Sequence, residues 1–439
     1  MNEAICGEEK RPDWLLPGGK INEGEFCRQY YMKHYLVYRE GAFFGVEGRI
    51  ADEDVLRKDI YRELRQYLCS GLASKTEKLL DALRLECPAA GLEERLEDMY
   101  VIPVSNGNYD LRRGFSTMKF VTRYRLPVAY DPEAEKPEKW LDFLSQLLEP
   151  EDIPTLQEYM GYCLVPTTRA QKMLIITGRG GEGKSRIGVV MKALLGDNMN
   201  QGSIAKVEAS PFARADLEHL LLLVDDDMKM EALKQTNYIK SIITAEVKMD
   251  LERKGIQSYQ GKLNVRFMAF GNDSLQALHD RSYGFFRRQI ILTAKERPAQ
   301  RQDDPYLAEQ LVEEKEGILL WCIEGLERLI LNDFRFTISD RAKNNLRESI
   351  SRGNNIQDFL ESEGYIQFAP EATVTSRLLY ETYRSWCADN AVICLSSHSF
   401  WSYICQHLTA LKLKTTRCIP IGNGKFARGF VGLRALSRY

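Results

Sequence analysis

Residues 173–190 read MLIITGRGGEGKSRIGVV, and this stretch decides the fold. The first five residues are apolar and predict a buried strand, and residues 178–185, GRGGEGKS, fit the pattern G-x-x-x-x-G-K-S. Apolar residues then recur at helical spacing as far as Leu194. A strand, a glycine-rich loop and a helix in this order predict a phosphate-binding loop, because the loop N–H groups and the helix N-terminus point at the same anion.

The chemistry of such a loop assigns roles to its side chains. We expect Lys184 to bridge the β- and γ-phosphates of ATP and the Ser185 hydroxyl to ligate Mg²⁺. The residues predicted to contact the nucleotide are Gly178, Gly180, Gly181, Glu182, Gly183, Lys184, Ser185 and Arg186.

Two further apolar runs end in polar side chains that suit this site. LLLLV, residues 220–224, ends in three aspartates. We expect Asp225 to bind the metal and Asp226 to polarise the attacking water, while Asp227 caps a turn or is solvated. VRFMAFG, residues 265–271, is followed by Asn272, which either orients that water or simply turns a loop.

Two arginines precede a fourth apolar run, QIILT at residues 289–293. Arg287 or Arg288 could neutralise charge on the phosphoryl group that is transferred, and as an arginine finger it would come from another subunit. Taken alone, two arginines at the start of a strand are more often surface charges.

The alternation of strands and helices between residues 171 and 293 predicts an α/β fold with a parallel sheet. An α+β domain is predicted for residues 1–135, with a hairpin turning at Asn106-Gly107. The motor, with its helical lead-in and lid, would occupy residues 136–350 and end in a linker at residues 351–355. Three helices and then two strands joined at residues 422–424 follow, which is the order of a winged helix.

Composition narrows the classes of protein. The 439 residues are 44% hydrophobic and 28% charged, which excludes collagen, coiled-coil rods and bulk disorder. No apolar run suits a membrane span, and the N-terminus has no secretory signal pattern. The ten cysteines show no zinc-ligand spacing, so we expect free thiols in a reducing cytoplasm.

Charge is distributed unevenly along the chain. Residues 391–439 hold seven basic and no acidic residues, so the first 390 residues must carry −9 for the total to be −2. A basic segment on an acidic body is typical of polyanion binding, although a solvated basic face is an equally good interpretation. The tail residues predicted to contact DNA are Lys412, Lys414, Arg417, Lys425 and Arg428.

These motifs, in this order, resemble the superfamily 3 helicases. The resemblance is greatest to the poxvirus-type nucleoside triphosphatases and to the helicase halves of phage and plasmid primase-helicases. It rests on GRGGEGKS, the acidic run after LLLLV, Asn272, and DRSYGFFRR at residues 280–288, and it extends over about residues 36–330.

The resemblance implies an AAA+-like motor that assembles as a ring, usually a hexamer, with ATP bound between subunits. A hairpin within KMDLERKGIQSYQGKLN, residues 248–264, would grip one nucleic-acid strand in the central channel. It implies DNA contacts for Lys254 at the tip, with Arg253 and Lys262 as further candidates. It also favours Arg288 or Arg287 as the finger that acts on a neighbouring subunit.

The sequence departs from this family in three respects. Three aspartates stand where glutamate is usual, Ala245-Glu246 replaces small glycines, and nothing in the first 135 residues matches a primase active site. A separate primase or origin-binding protein is therefore an expected partner, beside single- and double-stranded DNA.

The preferred interpretation is an ATP-driven replicative DNA helicase of a mobile element, located in the host cytoplasm and not bound to membrane. The main alternative is a nucleotide-dependent switch or assembly factor that binds DNA without unwinding it. A small-molecule kinase is disfavoured because the sequence shows no recognisable pocket for a phosphate acceptor.

Overall fold

The computed structural model describes residues 11–88, 97–228, 236–245, 247–271, 283–298, 300, 304–353, 355–390, 392, 394–421 and 425–436. These residues divide between two compact units, one within 1–274 and 287–343, the other within 275–286 and 344–439. None of the helices that the structure describes has the length and apolarity needed to cross a bilayer.

The first unit begins with a small α+β region around its own core. Helix α1 starts after Asn22, whose side chain accepts the N–H of Glu25 (3.3 Å) and so caps the helix. Trp14, Phe26 and Phe43 are fully buried in this core. The elements are β1 (Leu15–Leu16), β2 (Lys20–Ile21), α1 (Glu23–His34), β3 (Val37–Arg39), β4 (Ala42–Gly45), β5 (Gly48–Arg49), α2 (Asp54–Arg65) and α3 (Leu72–Glu86).

A second small sheet contains the predicted hairpin, with its turn one residue earlier than expected. The strands are β6 (Val101–Val104), β7 (Gly107–Asp110) and β8 (Gly114–Ser116). Val104 pairs with Gly107, so the turn is Ser105-Asn106 and not Asn106-Gly107. A side chain at position 107 would collide with Phe115 and Ser116, so the glycine serves close packing and not the turn.

The core beside this second sheet is continuous with that of the following elements. Ile102, Val104 and Leu126 pack in the same hydrophobic cluster as Trp140 and Leu174. Apolar packing therefore runs across position 135, and the domain boundary there stays a prediction.

The centre of the first unit is a five-stranded parallel sheet, which confirms the α/β prediction. Its spatial order is β10-β11-β14-β9-β15, and every neighbouring pair is parallel. The elements are α4 (Glu138–Leu147), α5 (Ile153–Tyr162), β9 (Met173–Thr177), α6 (Ser185–Leu195), β10 (Met199–Gln201), α7 (Ile204–Ala209), α8 (Pro211–Ala215), β11 (Leu222–Asp225), α9 (Asn237–Thr244), β12 (Met249–Arg253), β13 (Ile256–Gly261), β14 (Arg266–Gly271), α10 (Tyr283–Phe286, grouped with the second unit) and β15 (Gln289–Thr293).

The helical pattern after Pro305 forms two helices and not the single predicted one. They are α11 (Leu307–Glu313) and α12 (Lys315–Leu331), separated at Glu314. The Glu314 carboxylate accepts the backbone N–H groups of Lys139 (3.1 Å) and Trp140 (2.9 Å). The break thus places a cap on the first turn of α4.

The predicted linker at residues 351–355 is wrong for the residues that the structure describes. Helix α13 (Asp340–Gly353) runs through residues 351–353, and α14 (Asn355–Glu361) begins at Asn355. Asn355 is buried and accepts a hydrogen bond from the Tyr383 hydroxyl. Polar residues alone do not exclude a helix, and this stretch belongs to helices; Asn354 lies outside the described residues.

The second unit has its own core and a three-stranded antiparallel sheet. Phe359, Tyr383, Phe400 and Leu433 lie at the centre of its hydrophobic cluster. Its elements are α14, β16 (Ile366–Thr375), α15 (Ser376–Asp389), α16 (Ser397–Gln406), β17 (Lys414–Pro420) and β18 (Phe426–Ala435), with spatial order β16-β18-β17. Strand β16 was not predicted from the sequence, and the predicted turn at residues 422–424 lies outside the described residues.

Candidate functional site

The glycine-rich loop joins the carboxyl end of β9 to the first turn of α6. All five residues of β9 are buried, and the loop therefore starts from a fixed point at the end of an interior strand of the sheet. Gly180, Gly181 and Gly183 have φ values of 101°, 80° and 102°, which residues with a Cβ rarely adopt. The local sequence therefore dictates a curled loop followed directly by a helix.

An internal carboxylate occupies the concave side of this loop. Glu182 Oε1 accepts the N–H groups of Arg179 and Gly180, the latter at 2.9 Å, and Oε2 accepts the Gly180 N–H at 3.1 Å. The ammonium group of Lys184 donates to Glu182 Oε2 at 2.6 Å. The loop therefore binds an oxyanion already, and that anion is part of the chain.

The environment keeps this carboxylate ionised. Burial alone would raise the pKa of Glu182, but hydrogen bonds from Lys184 and from the loop backbone outweigh it and the pKa is lowered. Gly178 allows the close approach, because a Cβ there would meet the Glu182 carboxylate and the Lys184 ammonium at 2.7–2.8 Å. The loop is thus complementary to a negative charge.

Asp225 is the last residue of β11 and is buried. One of its oxygens accepts the Ile204 N–H at 2.7 Å, which ties the strand to the start of α7. Burial raises the pKa of the Asp225 carboxyl, and the charges of Asp227 and Asp226 raise it further, while backbone hydrogen bonds partly offset both effects. A cation at this position would relieve the repulsion among the three carboxylates.

The strand that carries Asp225 is not directly beside the strand that leads into the loop. β14 lies between them, with Asp225 level with Ala269 and Ala269 level with Ile175. Asp226 and Asp227 follow at the carboxyl edge of the sheet and are exposed. β14 is adjacent to β9 as expected, but Asn272 lies outside the described residues.

Arg287 and Arg288 lie at the opposite edge of the sheet from the loop. β15 is parallel to β9, with Gln289 level with Met173 and Thr293 level with Thr177. At about 3.3 Å per residue, Arg288 lies about 20 Å before the level of Gly178, at which the loop begins. Neither arginine can therefore serve the loop of its own chain.

The surroundings of the two arginines form a surface pocket of about 400 Å³. It is lined by both arginines together with Ser241, Thr244 and Val247. Arg287 is exposed and Arg288 is half-buried. Burial lowers the pKa of Arg288, and the charge of Arg287 acts in the same direction.

The hairpin predicted within residues 248–264 is present. β12 and β13 pair antiparallel, and Lys254 and Gly255 form the connection, where Gly255 has a φ of 76°. Lys254 is exposed at the tip. Lys262 lies at the base and pairs with Glu97 at 3.7 Å.

Arg253 has a structural role that the sequence analysis did not anticipate. Its guanidinium donates to Glu218 Oε2 at 2.6 Å, and the Tyr259 hydroxyl donates to the same oxygen at 2.6 Å. The Glu218 side chain is only 2% exposed. No sequence signal identifies Glu218, because its partners are 35 and 41 residues away.

A larger cavity, of about 750 Å³, opens beside the base of the hairpin. Five basic and three acidic side chains line it, and the basic ones include Arg39, Arg123 and Lys248. Arg123 is 4% exposed, donates to His219 Nδ1 (2.7 Å) and to Glu40 (2.6 Å), and holds three distant segments together. Sequence spacing could not have found this cluster.

The basic side chains assigned to the tail are all exposed. Lys414 and Arg417 lie on β17, Arg428 lies on β18, and Lys412 and Lys425 flank these strands. Within the described residues of α16, Phe400 and Ile404 are buried, which agrees with its apolar pattern.

Metal ligands remain a prediction. Among the residues described, no group of three or more His, Cys, Asp or Glu side chains is arranged to hold an ion. The proposed Mg²⁺ site draws on one hydroxyl and one carboxylate, so this finding does not test it.

Residues 176–288 match the model of a family of unknown function, DUF5906. That range, about a quarter of the chain, contains the loop, the acidic run, the hairpin and both arginines. A comparison with curated protein sequences found no match.

The fold is similar to that of a solved protein over nearly the whole chain. Apo structures of the C-terminal region of NrS-1 superimpose with TM-scores of 0.51 and 0.53 at 11% identity, covering 92% and 94% of this chain and 98% and 100% of the other. A further form gives a TM-score of 0.53 at 12% identity. At this identity, the similarity establishes the shared fold alone.

Proposed function

We propose that the chain is an ATP-dependent motor that acts on DNA, as the replicative helicase of a mobile element. The observation that carries this proposal is the loop of residues 178–184, whose N–H groups and Lys184 already bind a carboxylate. A loop that stabilises one buried oxyanion provides the donors that a nucleotide phosphate needs. The remaining features supply the other parts of a motor.

The acidic run fits a metal ion beside the phosphates. Mg²⁺ prefers oxygen ligands, and we assign it to the Ser185 hydroxyl and the Asp225 carboxylate, with Asp226 polarising the attacking water. The raised pKa of Asp225 supports this assignment. Burial and the charges of Asp226 and Asp227 disfavour its ionised form, and a bound cation would stabilise that form. When bound, the ion would neutralise phosphate charge.

The position of the arginines supports an assembly in which ATP lies between subunits. Because Arg287 and Arg288 cannot reach the loop of their own chain, a catalytic role for them requires a second subunit. We propose a closed ring, with six copies as the resemblance to superfamily 3 implies, since a head-to-tail contact that repeats by rotation closes a ring.

The hairpin is proposed to contact single-stranded DNA. Lys254 stands at its exposed tip, while Glu218 fixes Arg253 and Tyr259 to the body of the unit. A lysine on an anchored hairpin contacts phosphates without reading sequence, which suits a motor that moves along a strand. We therefore assign strand contact to Lys254 and anchoring to Arg253.

The second unit is proposed to be a winged-helix domain that binds DNA phosphates. Its order of helix, strand, two helices and two strands supports this assignment, as do the exposed basic side chains on β17 and β18. Without acidic neighbours on these strands, the basic face attracts a polyanion.

A strand-displacement assay with wild type and Lys184→Ala tests the proposal. A helicase separates the strands of a forked duplex in the presence of ATP, and loss of Lys184 lowers that rate by about 10²-fold or more. A nucleotide-dependent switch, the alternative, separates no strands in either form, and that outcome would overturn the helicase assignment.

A further inference from the structure

We propose that Glu182 competes with the nucleotide for the phosphate position, so that its carboxylate must leave the loop before a phosphate can enter. This inference rests on the proposed function, that the loop of residues 178–184 binds a nucleotide. It gives Glu182 a role different from that of a simple nucleotide contact. Glu182 would set how tightly every ligand of the loop binds.

The first argument is the identity of the donors. Glu182 is held by the N–H groups of Arg179 and Gly180 and by the Lys184 ammonium, at distances of 2.6–3.1 Å where the geometry is regular. These are the groups that the loop offers to a phosphate. Each backbone N–H supplies one donor, so it cannot serve a carboxylate and a phosphate together.

The second argument is space and charge. Glu182 is 3% exposed and Lys184 is 5% exposed, so the carboxylate lies inside the loop and not at its rim. A phosphate entering beside an ionised carboxylate would meet a like charge in a site of low dielectric. The carboxylate therefore has to move out, and the glycines at 181 and 183 on either side of it give the backbone freedom to do so.

The third argument is quantitative. If the loop with Glu182 inside cannot accept phosphate, the apparent affinity falls by the fraction of molecules whose loop is open. One net hydrogen bond between charged groups is enough to make the form with Glu182 inside the loop about tenfold more populated than the open form. The same factor applies to every ligand whose phosphates fill the loop and to none that binds elsewhere.

The test is equilibrium binding of ATP, ADP, inorganic pyrophosphate and adenosine to the full chain, with wild type, Glu182→Gln and Glu182→Ala. Glutamine keeps the shape but removes the charge that Lys184 neutralises, and alanine empties the loop. Glu296→Gln is the matched control, because the Glu296 carboxylate pairs with Arg179 at 2.8 Å yet is 72% exposed. Thermal unfolding confirms that each variant is folded.

The expected result is that both Glu182 variants bind ATP, ADP and pyrophosphate about tenfold more tightly than wild type, by a common factor. Adenosine binding and the Glu296→Gln control stay within about twofold of wild type. Unchanged or weaker phosphate binding in the two variants would overturn the inference, as would a gain confined to one of the three phosphate ligands. If wild type and variants all failed to bind any nucleotide, the proposed function itself would be overturned.

Discussion

At the residue scale, Glu218 joins the hairpin to the rest of the first unit through two hydrogen bonds to one oxygen. The carboxylate is buried and its partners Arg253 and Tyr259 come from the two strands. Replacement of the carboxylate by a neutral amide removes the charge that the guanidinium pairs with and turns one of the two oxygens into an NH₂ donor. Such buried, charge-assisted contacts contribute more to stability than surface ion pairs do.

We therefore predict that Glu218→Gln lowers the free energy of unfolding by about 1–3 kcal/mol. Glu77→Gln is the control, because the Arg57–Glu77 contact is also 2.6 Å and its arginine is also 37% exposed, but Glu77 is 56% exposed. That control should change stability by less than about 0.5 kcal/mol. Denaturant titration measures both, and equal effects would show that burial of Glu218 is unimportant.

His219 is a second buried residue with a measurable consequence. Burial lowers its pKa to about 2, and the charges of Arg123, Arg49 and Arg253 act in the same direction. In the unfolded chain this histidine binds a proton below about pH 6.5, whereas in the folded chain it stays neutral. The folded state therefore becomes less stable as the pH falls below that value.

We predict that acidification from pH 6 to pH 4.5 destabilises wild type more than His219→Asn, by up to about 1.4 kcal/mol per pH unit. Asparagine is chosen because residue 219 has a φ of 72°, which asparagine tolerates. Denaturation midpoints across this pH range provide the measurement. Parallel pH profiles for the two proteins would mean that His219 is not held neutral.

Residue spacing predicted the loop but not that the Glu182 carboxylate lies inside it. The order of Gly178, Lys184 and Ser185 has a local meaning, because neighbours along the chain form the loop together. The Glu182 carboxylate folds back onto that loop, a three-dimensional arrangement that the pattern G-x-x-x-x-G-K-S does not encode. The contacts of Glu218 and Arg123 could not be predicted for a related reason, because the residues that form them are far apart in sequence.

At the element scale, the hairpin presents an exposed cation, Lys254, at the tip of an anchored support. We predict that Lys254→Ala weakens binding of single-stranded DNA and makes the slope of log affinity against log salt shallower by about 0.7 for each lost phosphate contact. Lys58→Ala, an exposed lysine on α2, should leave the slope unchanged. Fluorescence anisotropy at several salt concentrations measures both; identical slopes for wild type and Lys254→Ala would exclude the tip from the DNA contact.

Strands and helices were predictable where the pattern of apolar residues along the sequence is strong. The four runs rich in apolar residues all contributed strands to the parallel sheet, since a strand covered on both faces needs mostly apolar residues. Strand β10 was not predicted because Met199-Asn200-Gln201 has only one apolar residue. Strand β16 was not predicted because Pro370 and a register shift between Phe368 and Thr373 interrupt its strand pattern. The polar residues 351–353 suggested a linker, but a helix also tolerates polar residues, since only its core-facing side needs apolar ones.

At the scale of the whole molecule, a catalytic role for the arginines at the far edge of the sheet would require a second subunit. We predict that Lys184→Ala and the double variant Arg287→Ala/Arg288→Ala are each inactive in ATP hydrolysis but recover activity when mixed. In a random mixture at equal amounts, about a quarter of the interfaces combine an intact Lys184 with intact arginines from the neighbour.

The control is a mixture of Lys184→Ala with Asp225→Asn. Both changes fall on the same side of the proposed interface, so no interface in that mixture regains a complete site. Steady-state phosphate release measures each mixture. Recovery in the control, or none in the test mixture, would contradict a site shared between subunits.

We propose that the loop around Lys184 and the run of carboxylates that starts at Asp225 act together on a magnesium nucleotide, and that DNA binding accelerates this action. The most direct measurement is phosphate release from ATP by wild type, with and without single-stranded DNA, beside Lys184→Ala and the exposed control Lys206→Ala. We expect single-stranded DNA to stimulate phosphate release in wild type and Lys206→Ala, and we expect release to fall by about 10²-fold or more in Lys184→Ala. Release that is absent in wild type, or that is the same in Lys184→Ala and indifferent to DNA, would contradict it.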